Sequence, residues 1–309
     1  KINMTDQKKV IVLILSYNGK LLLDEAISSY FSNPYANFKV VVIDNGSTDG
    51  TKEYVANKWP EVKILRTEKN LGYSGGFNFG LDYAFNHCKA DYALITNNDV
   101  KADSQVIQSL VETAERDKTI GFVTGKVFYY DNPNILQTTG FELTDSTYWL
   151  FSHRGAKEKD NGQFEKIEEL EFADDIFMLV RNEVFQDTYG YDTNFQFQAE
   201  QFDWQIRTKN KGYKIFYTPF ARIWHKDSFT IGKLSPFKTY YNIRNTYILR
   251  MKYFNKEFIQ RFSRWYLKNH FFKPFLRSMI KFQFNYAYMI LKGYISAILW
   301  GLRNDKFYI

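Results

Sequence analysis

The sequence predicts an α/β protein: a mostly parallel sheet flanked by helices, with a helical C-terminal extension. Short apolar runs alternate with helical segments from the first residues to about residue 130, the pattern of βαβ units in a sheet covered on both faces. The loops that follow these runs are rich in Asn, Gly, Ser and Asp, and in such sheets ligands sit at the C-terminal ends of the strands. Beyond Pro236 the pattern is helical to the end, and acidic residues are absent from Phe258 to Asn304.

The elements follow in order. KKVIVLIL is a buried strand ended by Ser16, Tyr17, Asn18 and Gly19, a strand-and-loop signature. LLLDEAISSYFSN reads as a helix. FKVVVIDNGSTDGT is a second buried strand running into a turn, with Asp49 as N-cap for the helix TKEYVANKW. VKILRT is a third strand, GFNFGLDYAFNHC a helix, ADYALITNNDV a strand into a loop, DSQVIQSLVETAERD a helix and IGFVTGKVFYY a further strand. After residue 130, ILQTTGFEL and TYWLFSHRG form a hairpin, and the polar AKEKDNGQFEK is a mobile loop. EELEFADDIFMLVRNEVF holds a strand and a short helix, FQAEQFDWQIR is helical, and YKIFYTP and ARIWH are two short strands.

Composition narrows the class. A chain of 309 residues that is 19% aromatic buries a large, ring-rich core. The single cysteine, Cys88, excludes an internal disulfide and fits a reducing compartment. KINMTDQKKV has no signal-peptide pattern, and no run of about 20 apolar residues is present to span a bilayer. The net charge is +7. It belongs to the tail, where Arg261, Arg264, Lys268, Lys273, Arg277, Lys281, Lys292 and Arg303 have no acid among them.

Several constellations carry chemistry, each beside a plainer reading. Asp44 ends a buried strand; it could accept from a nucleobase or ribose, or simply hold its own turn. EKNLGYSGGFNFG could bring backbone N–H groups close to a diphosphate or sugar, or serve tight helix packing. Asp99, in LITNNDV, could supply the single carboxylate that a phosphate-bridging cation needs, and His225 a neutral imidazole. Asp174 and Asp175 could bind acceptor hydroxyls or cap a turn; Arg244 could reach a phosphate or remain solvated.

Together these segments resemble the family 2 inverting glycosyltransferases of GT-A fold, most closely the bacterial rhamnosyl-, galactofuranosyl- and glucosyltransferases that build surface polysaccharides. The resemblance runs over about residues 8–250, through VIVLILSYNG, VVIDNGSTDGT, NLGYSGGFNFG, LITNNDV, DIFMLVRNEVF, AEQFDWQIRTKNKGYKIFYTPFARIWHKDS and SPFKTYYNIRN. It implies a catalytic domain over 1–235, with a donor half at about 8–130 and an acceptor half at about 131–235, and an extension over 236–309. It implies a UDP- or dTDP-linked sugar donor held by Tyr17, Asn18, Asp44, Asn70, Gly72, Gly75, Gly76, Asn97, Asn98 and Arg244. It further implies Mg²⁺ or Mn²⁺ on Asp99 and His225, and a glycan or polyprenyl-linked acceptor near Asp174, Asp175 and Trp204.

One position departs from the family pattern. The family has two adjacent acids here, the second acting as general base, followed by an Asp. This chain has Glu200, Gln201 and Asp203, and an amide cannot take up a proton. Three explanations stand: Glu200 is the working base, the protein binds without turnover, or Gln201 is an engineered amide that traps substrate.

The tail mixes aromatics with cations. Lys273, Arg277 and Lys281 share one helix face beside Phe272, Leu276, Ile280 and Phe284, and Pro274 should kink the path. Trp, Phe and Tyr beside Lys and Arg suit the headgroup level of an anionic membrane. This predicts a peripheral protein on the cytoplasmic face of the cell membrane. Interleaving with apolar residues argues against nucleic acid as the partner.

Overall fold

The computed structural model describes residues 7–226 and 235–306. Its centre is one large sheet of strands β1 (Val10–Ser16), β2 (Phe38–Asp44), β3 (Lys63–Arg66), β4 (Tyr92–Asn97), β5 (Val100–Ala102), β6 (Ile120–Tyr129), β7 (Asn132–Thr138), β10 (Glu168–Glu169), β11 (Phe177–Arg181) and β12 (Lys214–His225). Strands β8 (Phe141–Asp145) and β9 (Leu150–His153) form a separate hairpin. The sheet order is β10-β12-β6-β11-β4-β1-β2-β3.

The first half matches the parallel expectation: β3, β2, β1 and β4 run parallel. The second half is mixed. β11 lies antiparallel between β4 and β6, while β6 and β12 are parallel. The two short strands expected at 213–225 are one strand, β12, bulged between Tyr217 and Arg222.

Burial explains the sequence of the parallel strands. Val10, Val12 and Ile14 face one core with helices α1 (Leu23–Phe31), α2 (Thr51–Lys58) and α4 (Val106–Ala114). Ile11 and Leu13 face the other, with α3 (Gly72–Asp82), α5 (Asn182–Thr188) and α6 (Glu200–Asn210). A strand covered on both sides has no solvent face, so it reads as a continuous apolar run. The N-cap position of α2 is Gly50, with φ 80°, and not the expected Asp49, which stands one residue earlier and accepts from Thr51 N at 3.1 Å.

The polar segment at 156–166 is tied down rather than loose. Lys126, whose side chain is fully buried, reaches Asp160 at 2.7 Å and Glu165 at 2.5 Å. A buried ammonium must be paired, so this loop closes over β6.

Among the described residues four α-helices follow, α7 (Pro236–Tyr253), α8 (Lys256–Tyr266), α9 (Lys273–Ile280) and α10 (Phe284–Arg303), with a π-helical stretch between α8 and α9. Ser235 and Asn255 cap α7 and α8, accepting from Lys238 N and Phe258 N. A third apolar cluster joins Ile243, Tyr247 and Ile248 of α7 to Phe262 of α8 and to Ile290 and Ala297 of α10. Pro274 does not end the helical run, but the run is distorted just before it: the π-helical stretch, Leu267–Phe272, links α8 to α9, and Pro274 sits in the first turn of α9. The reversal comes later, at Phe282, whose φ is 55°. Phe284 therefore opens α10 and does not continue the α9 face.

Candidate active site

Strand register assembles one end of the sheet. Ser16 pairs with Asp44, Asp44 with Arg66, and Leu15 with Asn97, so the loops after β1, β2, β3 and β4 emerge side by side. They form the floor of a cleft of about 760 Å³. Tyr17, Asn45, Asn70, Gly72, Tyr73, Asn97, Asn98, Asp99 and His225 line it from the ends of the strands and the loops after them, and Gln196, Phe197, Phe237, Lys238 and Tyr241 come from the turn before α6 and from α7. The DSF that follows His225 in sequence lies outside the described residues from Asp227 onward.

Asp99 and His225 are brought together by β5. This three-residue strand directly follows Asp99 and pairs antiparallel with the end of β12, setting His225 against Val100. Lys226 N donates to Asp99 O at 2.9 Å. The His225 Nε2 atom then lies 3.1 Å from Asp99 Oδ1. On the other side of the ring, Nδ1 is 2.9 Å from Gln137 Oε1. In the tautomer in which Nδ1 donates to that oxygen, Nε2 presents its lone pair to the carboxylate. Asp99 Oδ1 is buried and makes no hydrogen bond. A carboxylate oxygen and an imidazole nitrogen at this separation suit a divalent cation. Among the described residues no group of three or more His, Cys, Asp or Glu surrounds such a site. Two protein ligands suit a hard cation that shares its shell with phosphate oxygens and water.

The glycine-rich turn is fastened from β2. Asn45 donates to Asn70 Oδ1 at 3.1 Å and to Gly72 O at 3.0 Å, and accepts from Leu71 N at 3.0 Å. Gly72 has φ +75°, and a side chain there would meet the Gln196 carbonyl at 2.9 Å. Gly75 and Gly76 lie back from the cleft. A Cβ on Gly76 would stand 2.6 Å from Leu15 Cδ1, so this glycine serves close helix–strand packing.

Several other expected donor residues are engaged in contacts of their own, and of these Asn98 alone is among the cleft-lining residues named above. Asp44 is fully buried, accepts from Ser47 N at 3.0 Å and pairs with Arg66. Asn18 bridges two loops, accepting from Thr48 N at 2.8 Å. Asn98 donates to Ser16 Oγ at 3.1 Å. Arg244 donates to Asn194 O at 2.7 Å and Asn245 Oδ1 at 2.6 Å, while Lys238 and Tyr241 of the same helix reach the cleft.

The acids gather beside the cleft. Asp175 Oδ2 accepts from Tyr191 OH at 2.9 Å, and its carbonyl from Tyr73 OH at 2.8 Å. Asp174 faces His153 at 3.1 Å. Burial, then the Asp174 charge, pushes the Asp175 carboxyl up to about 7. Burial, then Asp175, holds Glu200 well above the usual carboxylate range. Glu200 Oε2 and Gln201 Oε1 are both buried without a hydrogen-bond partner. Asp203, expected among the catalytic residues, faces away: it is fully buried and accepts from Arg207 at 2.9 Å, Lys252 at 2.6 Å and Tyr253 at 2.7 Å. Trp204, expected on the acceptor side, is a core residue against Phe122 and Tyr191, its Nε1 donating to Thr188 at 2.7 Å.

The turn that aims α6 is strained. Gln198 and Ala199 adopt φ of 65° and 70°, a region L-residues with side chains avoid. Asn245 of α7, fully buried, holds it by donating to Phe197 O and Gln198 O, both at 2.8 Å. Asn245→Leu removes both bonds and is expected to cost about 1–3 kcal/mol, read as a lower Tm and as altered substrate KM.

A mixed α/β sheet flanked by helices, with an Asp–His pair, a glycine turn and a cleft at the ends of its strands, has the architecture of a GT-A fold. The chain belongs to glycosyl transferase family 2, whose sequence profile matches residues 11–189. It is 22% identical over 235 residues to the poly-beta-1,6-N-acetyl-D-glucosamine synthase of Staphylococcus aureus (strain COL), covering 75% of this chain and 53% of that one. The protein of the same name from Staphylococcus epidermidis is 24% identical over 224 residues, covering 72% and 51%. The chain thus spans about half the length of these relatives. Two solved structures share the fold. GalNAc-T7 with UDP, GalNAc and Mn²⁺ superposes with a TM-score of 0.60 at 15% identity, covering 86% of this chain and 57% of that one. A mannosyltransferase from Pyrobaculum calidifontis in complex with GDP-Man and Mn²⁺ gives 0.57 at 14%, covering 97% and 76%.

Sequence reasoning missed Asn45, Tyr73, Gln137, Gln196 and Phe197. Asn45 adjoins the strand-end Asp44 and was within reach of the same logic. Tyr73 adjoins Gly72 in the glycine-rich turn, whereas Gln137 on β7 and Gln196 and Phe197 in the turn before α6 reach the site only through tertiary packing.

Proposed function

We propose that this chain transfers a sugar, rhamnose or a hexose, from a UDP- or dTDP-linked donor to a hydroxyl of a cell-surface or lipid-linked glycan, inverting the anomeric centre. The observation that carries the reading is the 3.1 Å approach of Asp99 and His225 at the foot of the cleft. Bound there, Mg²⁺ or Mn²⁺ would neutralise charge on the leaving diphosphate. Tyr17, exposed at the mouth, offers a ring for the base. Asn70, the Gly72 turn and Asn97 border the diphosphate and sugar, and Asp44 holds the floor through Arg66. Lys238 adds a positive charge to the lining of the same cleft.

On the acceptor side, the hydroxyl oxygen bonds to the anomeric carbon as the bond to diphosphate breaks. The acceptor proton must pass to a base. Gln201 can orient the hydroxyl but cannot take that proton, leaving its buried sequence neighbour Glu200, and Asp175 whose charge Glu200 feels, as the candidate bases. This favours a second reading, a protein that binds nucleotide sugar and glycan with little turnover.

Both readings require donor binding. A thermal-shift panel of UDP-, dTDP- and GDP-sugars with Mn²⁺ should raise Tm with the logarithm of ligand concentration for at least one donor. Asp99→Asn should abolish the Mn²⁺ dependence. No shift with any nucleotide sugar would sink both readings.

A further inference from the structure

We propose that the outward face of α9 and α10 is a docking surface for an anionic lipid bilayer. Helix α10 has two apolar faces. Ala287, Ile290, Gly293 and Ala297 are buried. Gly293 lets the helices meet closely, for a Cβ there would lie 2.8 Å from Tyr240 O of α7. On the outer side Phe284, Tyr288, Leu291, Ile295, Leu299 and Leu302 are all exposed. Their spacings of three and four place them in one stripe along the helix. The stripe continues into the reversal before α10, where Ile280 is 76% and Phe282 79% exposed. A contiguous exposed apolar surface of this length marks an interaction site.

Charge decides the occupant. Lys273, Arg277 and Lys281 on and just after α9, and Lys292 and Arg303 on α10, are exposed, and no acid occurs from Phe258 to Asn304. A second copy would set cations against cations. Anionic headgroups would neutralise them while the apolar stripe enters the acyl boundary. Among the described residues no helix is long and apolar enough to cross a membrane, and α10 is held lengthwise on α7, so the face lies in the plane of the surface.

The orientation matters for the site. Helix α7 presents Phe237, Lys238 and Tyr241 to the cleft and carries α10 on another side. A chain docked through α10 holds its cleft one helix layer above the headgroups, within reach of an acceptor carried on lipid. That last step rests on the function proposed above; the docking does not.

The test is sedimentation of the full chain with phosphatidylcholine vesicles, with and without phosphatidylglycerol. Binding should need the anionic lipid and weaken at high salt. The Ile280→Glu/Phe282→Glu variant should bind at least about ten-fold more weakly, with unchanged Tm and unchanged donor-induced thermal shift. Lys273→Gln/Arg277→Gln/Lys281→Gln should lose the preference for anionic lipid. Equal binding by parent and variants overturns the proposal. So does a dimer in sedimentation velocity that Phe282→Glu abolishes, which would assign the face to a second copy. Because the donor shift is read separately, loss of docking and loss of the catalytic reading are told apart.

Discussion

Gln201→Glu is expected to raise the rate of sugar transfer by about 10²–10⁴-fold, the usual worth of a positioned general base. The amide occupies the second position of α6, and its Oε1 is buried without a partner. Glutamate is nearly isosteric, so the change supplies a proton acceptor with little rearrangement. The new carboxyl would sit beside Glu200 and near Asp175, where burial and like charge already raise carboxyl pKa values. The same forces would bring it toward the working pH, where a base is most effective. Donor KM should stay nearly constant, since the gain arises only in the transition state. The measurement is single-turnover release of nucleoside diphosphate with Mn²⁺. Equal rates in the two proteins would remove position 201 from the chemistry. If Glu200→Gln in the parent chain then abolished residual turnover, Glu200 would be the working base.

The second large effect concerns stability against pH. Asp175 has an ordinary carboxyl value of 3.8 when solvated and about 7 when folded. Between these values the folded chain binds the proton and the unfolded chain releases it. Unfolding free energy therefore falls as pH rises from about 4 to about 7, and the whole penalty is present above 7. At about 1.4 kcal/mol per unit, its upper bound is about 4 kcal/mol. The groups facing this carboxyl are Asp174, Tyr73, Tyr191 and Glu200. Asp175→Asn keeps an oxygen for the Tyr191 hydroxyl and removes the charge. The variant should melt higher than the parent at pH 8 and with it at pH 4. A constant difference across that window would show that Asp175 is not the titrating group.

The donor half was legible because its signals are local. Continuous apolar runs announced strands buried on both faces, and polar turns announced their C-terminal ends. Asp99 was marked by its place at such an end. Pairs of distant residues were not legible. Asp44 looked free to meet a ligand, but parallel register sets it beside Arg66. Asp203 looked catalytic from its neighbours, yet Lys252 and Tyr253, about fifty residues on, both donate to its Oδ1, and Arg207 takes Oδ2. Trp204 looked like an acceptor platform, but α6 turns that side inward against Phe122 and Tyr191.

The tail followed the same division. Composition gave its charge and its aromatic character, and helical spacing gave an apolar face on α9. The reversal at Phe282 and the packing of α10 on α7 decided which apolar residues are covered and which face out.

By itself the sequence determined the strand–helix alternation, the polar strand ends, the amide at 201 and the acid-free tail, because each is written in neighbouring residues. Only the tertiary structure decided which carboxylates are committed to ion pairs, which glycines serve packing, and that Asp99 and His225 meet. Sheet register and helix packing make those choices, and both act between residues far apart in the chain.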